Sequence, residues 1–226
     1  MATSSVWAQV PVFAGLSAAE LATLAAAARP RRYAKGEVIF HEQDPGNTCY
    51  IVETGRVKVA TVSPDGRQIT LALLGPGDLF GELALLDGVA RSTDAVALEA
   101  CRLLELPRDR FLDFLRAHWE TTSKLLAVLA HRLRRTDELL EDALFLHVPA
   151  RLAKALLELA ESQGERVAGA IRIAPHLTQS DLAALVGTSR ESVNKWLGFY
   201  QQRGIVQLDA GTIVICRPQE LRRNIY

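Results

Sequence analysis

Between Tyr33 and Pro107 the apolar runs are short, and each is closed by a turn signal. Runs at 38–40, 49–52, 57–62, 69–74, 95–98 and 103–106 alternate with Asp44-Pro45-Gly46, Glu53-Thr54-Gly55, Pro64-Asp65-Gly66, Gly75-Pro76-Gly77 and Asp87-Gly88. Proline, glycine and aspartate reverse the chain because their backbones suit turn conformations. Turns this frequent predict an antiparallel β-roll or barrel. Asp65-Gly66, set between alternating runs, predicts a hairpin.

The period changes on either side. Upstream, Ser17 and Glu20 form a capping box ahead of an alanine-rich helix. Downstream, Phe111, Phe114 and Leu115 predict a short amphipathic helix. Thr122, Leu126, Leu129, Leu133, Thr136, Leu140 and Ala143 then recur at alternating steps of four and three. That is the seam of a parallel two-stranded coil; the other reading is a helix packed on its own domain. Pro149 opens a helix through Ala160, 164–170 is a polar loop, 171–173 a short strand, and 178–203 a helical pair. Runs at 205–208 and 212–215 flank Asp209-Ala210-Gly211 as a hairpin. The expected fold class is α+β. A β-roll over 1–116 is followed by a dimerisation helix over 117–146 and a winged helix-turn-helix over 147–226.

The 226 residues suffice for two modest domains. No apolar run is long enough to cross a bilayer, and residues 1–10 lack the basic start and apolar core of an export signal. Cys49, Cys101 and Cys216 stand far apart, without a CxxC pair. That argues against zinc or iron–sulfur ligation and for a reduced, cytoplasmic protein. Net charge is zero, but residues 1–145 hold 16 Lys/Arg against 19 Asp/Glu and residues 146–226 hold 10 against 7. Phosphate neutralisation drives binding to nucleic acid, so the C-terminal part is the candidate.

The segment from Gln179 to Trp196 has helix-turn-helix spacing. Leu182, Ala183 and Val186 form the inner face of the first helix, and Gly187 ends it. Thr188 and Glu191 are read as a capping box for the second helix, with Val193 and Trp196 pointing inward. Ser189, Arg190, Glu191, Asn194 and Lys195 are then the DNA-reading set. Arginine and lysine donate to guanine, asparagine pairs with adenine, and glutamate accepts from cytosine. The bland alternative for each residue alone is a solvated helix face.

The second informative segment runs from Phe80 to Thr93. Gly81 and Glu82 begin a short helical turn whose free N–H groups suit an anion. Arg91 offers a planar, permanently charged fork for phosphate, Ser92 a hydroxyl, and Glu82 an acceptor for a ribose hydroxyl. Generic physics leaves open a polar loop in which Glu82 and Arg91 pair with each other.

Phe80-Gly-Glu-Leu-Ala-Leu85 with Arg91-Ser-Thr93 resembles the phosphate-binding cassette of the family of the bacterial cyclic-AMP receptor protein and the fumarate-nitrate reduction regulator (CRP/FNR). Ser189-Arg-Glu-Ser-Val193 resembles that family's recognition helix, and the order of the parts also matches, from about Phe13 to Ile215. The resemblance implies a cyclic-nucleotide-binding roll in which Gly81, Glu82, Leu83, Arg91 and Ser92 meet the sugar and cyclic phosphate. It implies that Thr136 touches the base. Beside it stands Asp137, where the best-known member has a second hydroxyl; a carboxylate only accepts hydrogen bonds and suits the guanine edge, and the other reading is a side chain that points to solvent or pairs with an arginine such as Arg134. The implied effector is cyclic AMP or cyclic GMP, with no covalent cofactor and no metal.

The implied partners are double-stranded DNA with a palindromic operator, a second copy of the chain, and RNA polymerase. Arg29, Arg31 and Arg32 resemble a polymerase-facing surface, or are a solvated basic patch. Arg190 and Glu191 match the base-reading pair. Lys195 stands for an arginine and Asn194 for a glycine, which leaves a TGT-type half-site with open inner bases. Ligand would set two recognition helices about 34 Å apart. Competing readings are a same-fold regulator with a vestigial pocket, a gas sensor, and an enzyme acting on nucleotides. The chain has no nucleophile–base set, no metal spacing and no GxxxxGK[ST] loop, so it is read as no enzyme.

Overall fold

The computed structural model describes residues 6–167, 169–173, 177–209 and 212–225. It forms two compact units, Met1–Thr61 with Leu71–Arg135 and Val62–Thr70 with Thr136–Tyr226.

The first unit opens with a 3₁₀ turn at Pro11–Phe13 and helix α1 (Ala18–Ala27). Ser17 and Glu20 close the expected capping box on α1. Eight strands follow: β1 (Arg29–Tyr33), β2 (Val38–Phe40), β3 (Thr48–Thr54), β4 (Val57–Val62), β5 (Gln68–Leu74), β6 (Leu79–Phe80), β7 (Asp94–Ala97) and β8 (Cys101–Pro107). Helix α2 (Leu83–Asp87) interrupts them, and α3 (Arg108–Ala117) leads into the long helix α4 (Trp119–Phe145). The strands make two four-stranded sheets, in the orders β1-β8-β3-β6 and β2-β7-β4-β5.

β3 and β8 are buried on both faces, and their period of two sorts residues between two cores. Cys49, Ile51, Leu104 and Leu106 face a helical cluster with Trp7, Phe13, Leu24, Phe111 and Leu125. Tyr50, Val52, Cys101 and Leu103 face a second cluster with Phe40, Val57, Phe80 and Ala97. No strand is expected before Tyr33, yet β1 runs from Arg29 to Tyr33. Its sequence, Arg-Pro-Arg-Arg-Tyr, is almost wholly exposed and buries little apolar surface of its own. It forms because the backbone of β8 pairs along it from Arg29↔Glu105 to Tyr33↔Cys101. Pro30 is tolerated because β1 is an edge strand.

The second unit continues from the end of α4 into α5 (Val148–Gln163), β9 (Gly164–Val167), β10 (Ala170–Ile173), α6 (Gln179–Val186) and α7 (Arg190–Gln202). β11 (Val206–Asp209), β12 (Thr212–Ile215) and α8 (Pro218–Arg222) complete it. Its sheet has the order β11-β12-β10-β9. The 164–170 segment, expected as a loop, holds β9 instead, paired to β10 from Gly164↔Ile173 to Val167↔Ala170. Polar Glu165 and Arg166 are compatible with a strand that is an exposed edge. Gly164 is required there: a Cβ would sit 2.3 Å from the Ala160 carbonyl oxygen and 2.4 Å from Ile171 Cγ2. Residues 210 and 211 of the expected turn lie outside the described residues.

The seam of α4 divides in two. Thr122 turns inward, donating from Oγ1 to the Leu115 carbonyl at 2.8 Å, and Leu129 packs on the helical cluster of its own unit. Leu126, Leu133 and Leu140, seven residues apart, are exposed at 55%, 63% and 60%. The helix-on-its-own-domain reading therefore holds for one face of α4, while the heptad row lies on another.

Gly198 sits within α7, and a Cβ there would meet nothing within 4 Å. Glycine inside a helix loses more backbone freedom on folding than alanine. Gly198→Ala is expected to stabilise the protein by about 0.5–1 kcal/mol, read as a higher urea midpoint at unchanged slope.

Candidate functional site

The turn from β6 into α2 brings Gly81, Glu82 and Arg91 together. Gly81 has φ +76, a left-handed conformation that side chains rarely adopt. A Cβ there would also stand 2.8 Å from Arg91 Nη1. Arg91 lies beneath it, 3% exposed. Its Nη1 donates to the Gly81 carbonyl at 2.6 Å and its Nη2 to the Thr48 carbonyl at 2.7 Å. The guanidinium carbon stands 4.3 Å from the centre of the Phe40 ring and 5.7 Å from that of Tyr50, attracted by the negative ring faces. Gly46 closes the floor: a Cβ there would be 2.2 Å from Ala84 Cβ.

Arg91 and Glu82 do not pair. Glu82, 1% exposed, accepts from Arg132 Nη1 on α4 at 2.7 Å. Arg132 also donates from Nη2 to the Leu79 carbonyl. The alternative of a Glu82–Arg91 pair is thus replaced by two separate anchors. Arg91 Nε and Glu82 Oε2 are both buried without a partner. Polar groups buried in native proteins are seldom left so. One donor and one acceptor therefore stand unmet within the segment from Phe80 to Thr93. An anion with a neighbouring hydroxyl has the matching chemistry.

Ser92 is exposed, as is Leu83 at the start of α2. Thr136 and Asp137 are exposed residues of α4 that belong to the second unit. Cys49 lies close to both cassette charges. Burial pushes its thiol up, and Glu82 adds to the shift, so it stays a thiol. No group of three metal-ligating side chains occurs among the described residues.

Sequence reasoning missed Arg132, which lies 50 residues from Glu82. Its placement four residues before Thr136, on one helix face, was the available signal.

In the second unit, Thr178 and Asp181 form a capping box on α6. Leu182, Ala183 and Val186 are buried as expected, and Gly187 ends the helix at φ +65. The cap of α7 differs from expectation. Ser189, not Thr188, is the N-cap, and its hydroxyl accepts from the Ser192 N–H at 3.2 Å. α7 starts at Arg190, so Glu191 is its second residue and not the third that a Thr188 cap would make it. Its own backbone N–H, then the Ser189 hydroxyl and Arg190, hold its carboxyl below the usual range, which makes it an acceptor. Val193 points inward, but Trp196 is half-buried, edge-on to Phe199 at 5.4 Å. Leu197 and Tyr200 lock the pair instead. Ser189, Arg190, Glu191, Asn194 and Lys195 are all exposed on α7.

Gly81→Ala forces its methyl against Arg91 in a backbone region hostile to side chains. A loss of about 1–3 kcal/mol is expected, measured by chemical denaturation; a stability equal to wild type would show that Arg91 does not rest on Gly81.

Residues 30–118 match the family described as cyclic nucleotide-binding domain, and residues 150–224 match the Crp-like helix-turn-helix domain. The chain is 37% identical over 219 residues to the CRP-like cAMP-activated global transcriptional regulator of Mycobacterium tuberculosis, spanning 97% of this chain and 98% of that protein. It is 39% identical over 205 residues to the cyclic AMP receptor protein of Thermus thermophilus, spanning 91% and 92%. Its fold is similar to that of FixK2 from Bradyrhizobium japonicum, with a TM-score of 0.77 and 27% identity over 87% of this chain and 96% of that one. Buried Arg91 and Glu82 with unpartnered atoms lie in the first match and the helix-turn-helix in the second, and the chain belongs to the CRP/FNR family of DNA-binding transcription regulators, a family that is not enzymatic.

Proposed function

We propose that this chain is a homodimeric cytoplasmic regulator whose affinity for a palindromic operator is set by a cyclic nucleotide. Residues 1–116 sense, 117–146 dimerise and 147–226 read DNA. One observation carries the sensing part: buried Arg91 has a donor without a partner, and buried Glu82 an acceptor without one. A nucleotide's cyclic phosphate and ribose hydroxyl are the matching pair. Gly81, Leu83 and Ser92 complete the cradle, with Thr136 and Asp137 at the base. Two relatives named for cyclic AMP support that nucleotide, while the accepting Asp137 supports cyclic GMP. Asp137 is exposed, as a solvent-facing side chain would be, and its carboxylate is able to accept. Arg190 and Glu191 would read the outer bases of a TGT-type half-site, with Ser189, Asn194 and Lys195 beside them.

The sensing reading is tested by titrating cyclic AMP and cyclic GMP calorimetrically. Arg91→Ala is expected to weaken either nucleotide by on the order of 2–5 kcal/mol, because a charge-assisted contact in a partly dry site is lost. Asp137→Ser should lower the preference for cyclic GMP. Full affinity in Arg91→Ala sinks the cassette assignment; operator affinity unchanged by saturating nucleotide favours the second reading, a vestigial pocket; an unchanged ratio in Asp137→Ser removes Asp137 from the base site.

The exposed row of Leu126, Leu133 and Leu140 fits the helix of a second copy. Leu133→Glu sets two like charges against each other in an apolar contact. Light scattering is expected to report monomers, and a mutant that remains dimeric with normal operator binding rejects this seam.

A further inference from the structure

Arg151 lies in the first turn of α5, where its guanidinium reaches three main-chain carbonyls on two separate parts of the second unit. Nη1 donates to the Leu146 carbonyl at 2.9 Å, just beyond the end of α4. Nε donates to the Val186 carbonyl at 2.9 Å and Nη2 to the Gly187 carbonyl at 3.4 Å, at the turn between α6 and α7. Carbonyls at a helix C-terminus lack intrahelical partners and carry partial negative charge. A cation there is favourable, but only a planar fork spans three acceptors so placed; an ammonium is a single point.

Two further contacts brace the same joint. Tyr200, on the buried side of α7, donates from its hydroxyl to the Pro149 carbonyl at 2.9 Å. Lys154 on α5 pairs with Asp142 on α4 at 2.6 Å. The last turns of α4, the first turn of α5 and the turn before α7 are therefore linked by side chains, and Arg151 is bound to both ends.

We infer that Arg151 is a positioning residue for DNA reading: it fixes the turn before the recognition helix α7 to the end of the long helix α4, and so passes movement of α4 to α7. The three carbonyls that Arg151 meets belong to Leu146, Val186 and Gly187, none of them a reading residue, so it acts through the Val186–Gly187 turn. The inference rests on the regulator reading above for its ligand dependence, but the clamp makes predictions without ligand.

The test compares wild type, Arg151→Ala and Arg151→Lys as full chains. Amide hydrogen exchange at Gly187 and Thr188 is followed without ligand. Affinity is then measured for a palindromic operator selected by the wild type, with and without cyclic AMP or cyclic GMP. In Arg151→Ala exchange at the turn is expected to rise about tenfold. Operator affinity should fall, and the ratio of affinities with and without nucleotide should shrink toward one. Arg151→Lys should behave as the alanine variant does, and it supplies the readout if that variant fails to fold. Unchanged exchange at the turn overturns the clamp, as does full rescue by lysine. Faster exchange with an undiminished nucleotide ratio overturns the passing of movement. If nucleotide does not alter wild-type affinity, the regulator reading fails by itself. Arg151 is then judged on turn exchange with operator affinity, and a variant with normal affinity overturns its positioning role.

Discussion

A guanidinium cannot be discharged in a protein, and burying one is costly unless its charge is met. Arg91 is 3% exposed and is met by carbonyl oxygens and ring faces, with no carboxylate. Much of the first unit is arranged around that demand. Gly81 and Gly46 lack the side chains that would displace it or lift α2 from the roll. The loop before β3 grips its backbone: Gln43 N–H donates to the Arg91 carbonyl, and Arg91 N–H to that of Asp44. Gln43 adopts φ +68 to do so, a conformation no other non-glycine residue shows among those described. The carboxylate that the cation does not receive is held apart on Arg132. A buried cation without a protein counter-charge, its Nε unpartnered, is what the proposed binding of an anion rests on.

The roll was legible because turn residues are chemically distinctive and recur between apolar runs. What escaped notice was backbone-driven. β1 and β9 bury almost nothing of their own and exist because a neighbouring strand offers an unpaired edge; no hydrophobic pattern announces that. The cap of α7 was misplaced by one residue because Thr188 and Ser189 are adjacent hydroxyls of equal capping chemistry. Only the conformation of Gly187 decides between them. Trp196 is expected inward with Val193, whereas steps of four and three from Val193 place Leu197 and Tyr200 there.

The cassette was found from its residue types and its resemblance, while the partners that hold it were not. Glu82 finds Arg132, and Arg91 finds Thr48, across tens of residues of intervening chain. Such pairings depend on which strand turns which way, and a linear pattern does not encode them. The helix-turn-helix is legible in part, since its signals are local: Leu182, Ala183, Val186, Gly187 and Val193 stand within one supersecondary unit.

Pro149 stands in the first turn of α5, and Leu146 and His147 separate that helix from α4. Proline has no amide hydrogen to give, and its ring would strike the carbonyl four residues back, at Phe145, were the two helices continuous. The long helix and α5 therefore cannot merge into one straight rod in any state of this chain. A corner is written into its covalent structure. The movement proposed above for α4 would reach α5 as a change of angle at that corner, not as helix grown through it.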